Sequence, residues 1–110
     1  MAYDEALAQR IRGILAGQSG VSERNMFGGI AFFVNGNMAV GIVAGAEGSM
    51  MFRRDPDRDD PVGPHIGPQI MGGRVMSGWL RVDADGIQTD EQLREMVERG
   101  ISYALKLPAK

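Results

Sequence analysis

The chain holds one histidine, His65, and no cysteine, which removes thiolate nucleophiles, disulfides and Cys-ligated zinc at the outset. His65 lies in a proline- and glycine-rich stretch, away from any serine-bearing turn, and no serine occupies a Gly-x-Ser-x-Gly elbow. Nothing in the local sequence therefore assembles the nucleophile, base and orienting group of a Ser-His hydrolase, and His65 reads as a solvated loop side chain. Gly73-Arg74-Val75-Met76-Ser77-Gly78 has the glycine spacing of a phosphate-binding loop, but Trp79 and Leu80 stand where the lysine and hydroxyl belong. Without them the glycines are turn residues. Asp55, Asp57 and Asp59 match three ligand positions of an EF-hand loop. Asp60 then replaces its glycine and Ile66 its bidentate glutamate, so an acidic, solvated loop is the better reading. Arg53, Arg54, Arg58, Arg74 and Arg81, with Trp79 or Phe52 for stacking, offer the parts of a nucleic-acid surface. Asp55, Asp57, Asp59 and Asp60 interrupt them, and the net charge of −2 argues against direct nucleic-acid binding.

The elements that must carry these residues are legible from periodicity and turn chemistry. Leu7, Ile11, Ile14 and Leu15 form one apolar stripe of a first helix, with Asp4 and Glu5 at its positive end and a stop near Ala16. Residues 24–54 read as sheet. Asn35-Gly36 between two apolar runs predicts a two-residue type I′ hairpin, with Val34 opposite Asn37, Phe33 opposite Met38, Phe32 opposite Ala39 and Ala31 opposite Val40. Alternation then puts Ile30, Phe32 and Val34 on one face and Ala31, Phe33, Met38 and Val40 on the other. Neither face is polar, so the ribbon is expected to be covered on both sides, by a helix and by a second subunit. A loop at 44–48 leads to a further strand, Ser49 to Arg53. Four prolines and two glycines make residues 55–68 an exposed, mobile loop. Short strands follow at Gln69–Met71 and Gly78–Val82, joined through 72–77, and Asp83-Ala84-Asp85-Gly86 is a turn. A last helix opens with a capping box, Thr89 and Gln92, and stops at Pro108. Gly100 inside it costs about 1 kcal/mol relative to alanine, which points to close packing against another backbone.

One hundred and ten residues suit one domain, since domains commonly run to about 100–150 residues. Hydrophobic residues at 44% and charged residues at 24% describe a globular chain rather than a disordered one. The N-terminus lacks the charged-then-apolar pattern of a signal peptide, and no apolar run reaches the roughly 20 residues of a membrane span. A soluble, cytoplasmic protein is expected. Methionine is the outlier, eight in the chain, with Met26, Met38, Met50, Met51, Met71 and Met76 in the sheet region. They suit either soft core filling or an adaptable contact surface.

Two stretches resemble the TfoX/Sxy N-terminal-domain family. Met26-Phe27-Gly28-Gly29-Ile30-Ala31-Phe32-Phe33-Val34-Asn35-Gly36-Asn37-Met38 is similar to its signature. Gly73-Arg74-Val75-Met76-Ser77-Gly78-Trp79-Leu80-Arg81-Val82-Asp83 is similar to its Gly-Arg-Pro-Met-x-Gly-aromatic strand, with Val75 in place of the proline. Val97-Glu98-Arg99-Gly100 and Leu107-Pro108 look like its C-terminal helix. The departure is residues 55–68, where relatives carry a short helix. The resemblance implies an α+β fold, an antiparallel sheet of about five to six strands flanked by an N-terminal and a C-terminal helix, often dimeric. The family's namesake regulates natural competence together with a transcription activator, and carries a second, C-terminal domain after this one. The family supplies no catalytic residues to carry over, and likeness of fold does not settle function.

Residues and resemblance together lead to one expectation: a single domain over residues 1–110, non-enzymatic and without cofactors, that regulates by protein contact. It is expected as a homodimer with a further protein partner, in the transcription machinery by family likeness. The candidate interaction surface is Phe33, Met38, Val40, Met50, Phe52 and Trp79. The alternative is a small-molecule or metal-binding domain using loop 55–68 and turn 72–78.

Overall fold

The structure, a computed structural model, describes residues 4–26, 28–43, 48–61 and 63–110, so the expected loop at 44–48 lies outside the described residues except for Gly48. Helix α1 spans Glu5–Leu15, and the strands are β1 Val21–Met26, β2 Gly29–Val34, β3 Asn37–Ile42, β4 Met50–Arg53, β5 Ile66–Met71 and β6 Arg74–Val82. A 3-10 turn at Ala84–Gly86 precedes helix α2, Asp90–Lys106. The fold is α+β, one six-stranded antiparallel sheet in the order β1-β2-β3-β4-β6-β5.

Both helices begin where side chains satisfy their free backbone N–H groups. The Asp4 carboxylate accepts from the Leu7 N–H at 3.0 Å. Thr89 and Gln92 make the full capping box at 3.0 and 3.1 Å. The apolar stripes then decide where the helices sit. Leu7, Ala8, Ile11 and Leu15 of α1 and Leu93, Met96 and Val97 of α2 share one core with Ile30, Phe32, Val40, Ile42, Met50, Phe52 and Val82 of the sheet. Both helices therefore lie against the same face, called here the inner face.

The Asn35-Gly36 turn takes positive φ at both residues, 52° and 84°, and pairs Val34 with Asn37 and Phe33 with Met38, as expected. The ladder then slips. Phe32 pairs with Val40, Ala31 with Gly41 and Ile30 with Ile42, leaving Ala39 as the extra residue of a β-bulge. One inserted residue reverses the alternation beyond it. Val40, expected beside Phe33 and Met38, instead turns inward and is fully buried. Ala39 is buried too, in a small cluster with Val34 and Ala104 of α2.

Two strand boundaries also differ from expectation. Strand β5 begins at Ile66 and contains Pro68. It is an edge strand with one unpaired side, where a residue without an N–H is tolerated. Strand β6 runs from Arg74 rather than Gly78. Gly72 and Gly73, at φ 60° and 79°, make a second two-residue turn that pairs Met71 with Arg74 and Ile70 with Val75. Strand β4 pairs with β6 only from Trp79 to Val82, so the hairpin arm around Gly72-Gly73 runs on past the end of β4.

The stretch after β4 is held against α2 rather than left loose. Asp55 pairs with Lys106 at 2.6 Å, Arg58 with Glu98 at 3.4 Å and Arg54 with Asp60 at 2.9 Å, while Arg99 donates to the Asp59 carbonyl at 3.1 Å. The chain end is also tied down: Lys110 N–H donates to the Asn35 carbonyl at 2.8 Å, and the Asn37 side-chain amide donates to the Pro108 carbonyl at 3.0 Å.

At Gly100 the helix backbone approaches the sheet closely. A Cβ there would overlap the Ala39 carbonyl oxygen and sit 2.9 Å from Val40 Cγ1. Backbone meets backbone, so the usual helix advantage of alanine is reversed. Gly100→Ala is expected to lower stability by roughly 1–3 kcal/mol, read from the urea midpoint of far-UV circular dichroism. An unchanged or raised midpoint contradicts this packing.

Candidate interaction surface

The face of the sheet away from the helices is the outer face. Strand register lines up one row across it: Arg24 of β1, Ala31 of β2, Gly41 of β3, Met51 of β4 and Arg81 of β6. Alternation places the neighbouring row of Phe33, Met38, Arg53 and Trp79 on the same side. This strip of the outer face is called here the trough. Its floor is small in the middle, where Gly41 has no side chain and the terminal methyls of Met38 and Met51 close over it. Aromatic rings stand near both ends of its wall.

Guanidinium groups cover those rings. Arg24 lies over Phe33 at 5.2 Å from the ring centre, and Arg53 lies at 5.2 Å from Trp79 and 5.3 Å from Tyr103 of α2. A cation on the electron-rich ring face is attracted by the ring quadrupole. Arg81 meets the Asp83 carboxylate at 3.8 Å, both side chains half-exposed. Arg24 and Arg53 thus each face a ring, where Arg81 of the same face meets a carboxylate.

Part of this face is shielded within a single protomer. Among the described residues no helix crosses it, yet Ala31 is 1% exposed and Met51 2%, and Phe33, Met38 and Trp79 are half-buried. Long methionine and arginine side chains cover the small residues between them.

Of the six residues expected at an interaction surface, Phe33, Met38 and Trp79 lie together on the outer face. Val40, Met50 and Phe52 do not join them. All three are buried in the core beneath the helices, Val40 because of the bulge and the other two because β4 turns Met51 and Arg53 outward. The five arginines considered for nucleic acid likewise separate. Arg53 and Arg81 reach the outer face, Arg54 and Arg58 pair with Asp60 and Glu98, and Arg74 sits at the arm's turn. Arg24 was not singled out from sequence. Only the β1–β2 register, invisible in a strand reading Val-Ser-Glu-Arg-Asn-Met, brings it level with Ala31 and Arg81.

Among the described residues, the loop of the ligand-binding alternative borders a cleft that none of residues 72–78 lines. The cleft beneath residues 53–61 measures about 10 Å³, room for a single water. Gly72 and Gly73 have open space around them. Among the described residues no three metal-ligating side chains gather. His65 is half-buried at the start of β5, its carbonyl accepting from the Asp83 N–H at 2.9 Å.

The profile of the TfoX N-terminal domain matches residues 13–104. The chain belongs to the TfoX N-terminal domain family. The match runs from the last turns of α1 through the whole sheet to Ala104 of α2, so it takes in both the trough and the hairpin arm. No curated protein and no solved structure matches the chain. No helix among the described residues is long and apolar enough to cross a membrane.

The clasp between loop and helix gives a pH signature. The hydrogen bond from Lys106, then the N–H of Asp57, holds the Asp55 carboxyl below its ordinary value of 3.8. The same contact holds Lys106 above 10.5. Asp55 thus contributes stability that is present above its unfolded pKa and lost as pH falls through the folded one. Lys106 contributes stability present below 10.5 and lost as pH rises through its raised value. Asp55→Asn is expected to melt below the wild type at pH 7. The gap should close as pH drops below the ordinary carboxylate range. A gap that persists in acid refutes the assignment.

Proposed function

We propose that this TfoX-family domain is a non-enzymatic regulatory module that works by protein contact in the cytoplasm and self-associates as a homodimer. The observation that carries the association is the hairpin arm. Ile70 and Val75 are 56% and 63% exposed, the two most exposed large hydrophobics among the described residues, and they face each other across β5 and β6. Paired apolar side chains on a projecting ribbon suit a two-fold interface, because the same patch on a second copy is complementary to itself. Strand β5 is also a sheet edge, with main-chain groups free to meet another strand. Pro68 removes one donor and limits that edge to short pairing.

The regulatory reading is supported by membership of the TfoX N-terminal domain family and by the composition of the outer face. Arginine, tryptophan and methionine are the residue types enriched where proteins meet. Contact with the transcription machinery belongs to the same proposal.

Size-exclusion chromatography with light scattering tests the dimer. At micromolar concentration the wild type should elute at twice the 11.9 kDa chain mass, and the double variant Ile70→Asp, Val75→Asp as a folded monomer. A monomeric wild type, or a dimer indifferent to both substitutions, overturns the arm as the interface.

A further inference from the structure

We propose that the outer-face trough binds an extended acidic–apolar segment of another protein, its carboxylates meeting Arg24 and Arg81 and its apolar side chains lying over Ala31, Gly41 and Met51. The inference rests on reading the domain as an interaction module and adds the chemistry of the partner.

Geometry sets the first requirement. Arg24 and Arg81 end a single row four strand spacings long, about 19 Å apart at the backbone. An extended chain rising about 3.3 Å per residue covers that distance in about seven residues, with alternate side chains facing the trough. A segment with an acid at each end and two apolar residues between them on the same side matches the row. Over Gly41 the floor is formed by the terminal methyls of Met38 and Met51. Met38 and Met51 are unbranched and polarizable, able to move aside and repack.

Charge sets the second. The chain is acidic overall, but its carboxylates collect elsewhere: Glu23 pairs with Arg12 of α1, and Asp55, Asp60 and Glu98 pair along the loop and α2. At the trough Asp83 is the one carboxylate in ion-pair reach of an arginine among the described residues. A positive, apolar surface on an acidic molecule selects a partner of the opposite sign. A second copy seated face to face would set arginine against arginine.

The stacking sets the third. Arg24, held over the Phe33 ring by attraction to its π face, commits no N–H donor to that ring and keeps its donors for a carboxylate. The same stacking occupies the ring faces of Phe33 and Trp79 that nucleic-acid bases would need. The arrangement therefore favours carboxylates over bases.

Trp79 is the only tryptophan and stands in the trough wall, so its fluorescence reports occupancy directly. The probe is a capped peptide, Glu-Ser-Leu-Ser-Leu-Ser-Glu, titrated into the full chain alongside its Lys-ended counterpart, hexaglutamate and single-stranded oligothymidine. The acidic–apolar peptide should give a saturable change in Trp79 emission that weakens with added salt, and the Lys-ended peptide should give none. Arg24→Glu and Arg81→Glu should each weaken binding by about tenfold or more. Where circular dichroism shows either variant misfolded, Arg24→Gln and Arg81→Gln are expected to act in the same direction. Three results overturn the proposal: no response to the peptide at millimolar concentration, affinity indifferent to both arginines, or binding of hexaglutamate or oligothymidine as tight as that of the peptide. The double variant Ile70→Asp, Val75→Asp should bind the peptide as the wild type does, which separates loss of the dimer from loss of the trough.

Discussion

The architecture turns on one contact, the Gly100 backbone of α2 against the Ala39 carbonyl of β3. It works because each partner departs from regularity at the same point. The helix gives up a side chain, at a cost of about 1 kcal/mol in helix propensity, and the strand gives up one ladder position to a bulge. Together they let α2 settle close enough for Leu93, Met96 and Val97 to reach Phe32, Val40 and Phe52. Because the bulge also reverses alternation, it decides which hydrophobic residues the helices receive.

That sorting explains the unusual outer face. A sheet covered by helices on one side alone ordinarily turns polar residues to the other. Here the residues turned outward are Ala31, Phe33, Gly41, Met38, Met51 and Trp79, with arginines among them. The face avoids a bare apolar patch by folding its long side chains over its small ones and by stacking guanidiniums on its rings. Such cover is held by weak contacts, each of the order of 1 kcal/mol or less at exposed sites, so a partner can exchange them for its own.

The acidic loop shows a different use of charge. Residues 55–60 carry four aspartates, and the structure spends Asp55 and Asp60 on Lys106 and Arg54. Arg58 and Arg99 reach back to Glu98 and the Asp59 carbonyl. Exposed ion pairs contribute little one by one, but several along one helix give an irregular segment a defined path.

Local chemistry in the sequence was enough for both helices, the capping box of the second, the Asn35-Gly36 turn and the first two pairs of its hairpin, because each depends on residues within a turn or two of one another. The glycine in α2 was legible as a close approach, though not what it approached. What no local pattern carries is register between strands distant in sequence. The bulge at Ala39 lies where α2 packs. Pro68 is admissible in β5 only because that strand ends the sheet, and Arg24 stands level with Arg81 only after five strands are laid side by side. Side chains reveal their own periodicity, but which face meets a helix and which meets water is decided when the whole sheet chooses its cover.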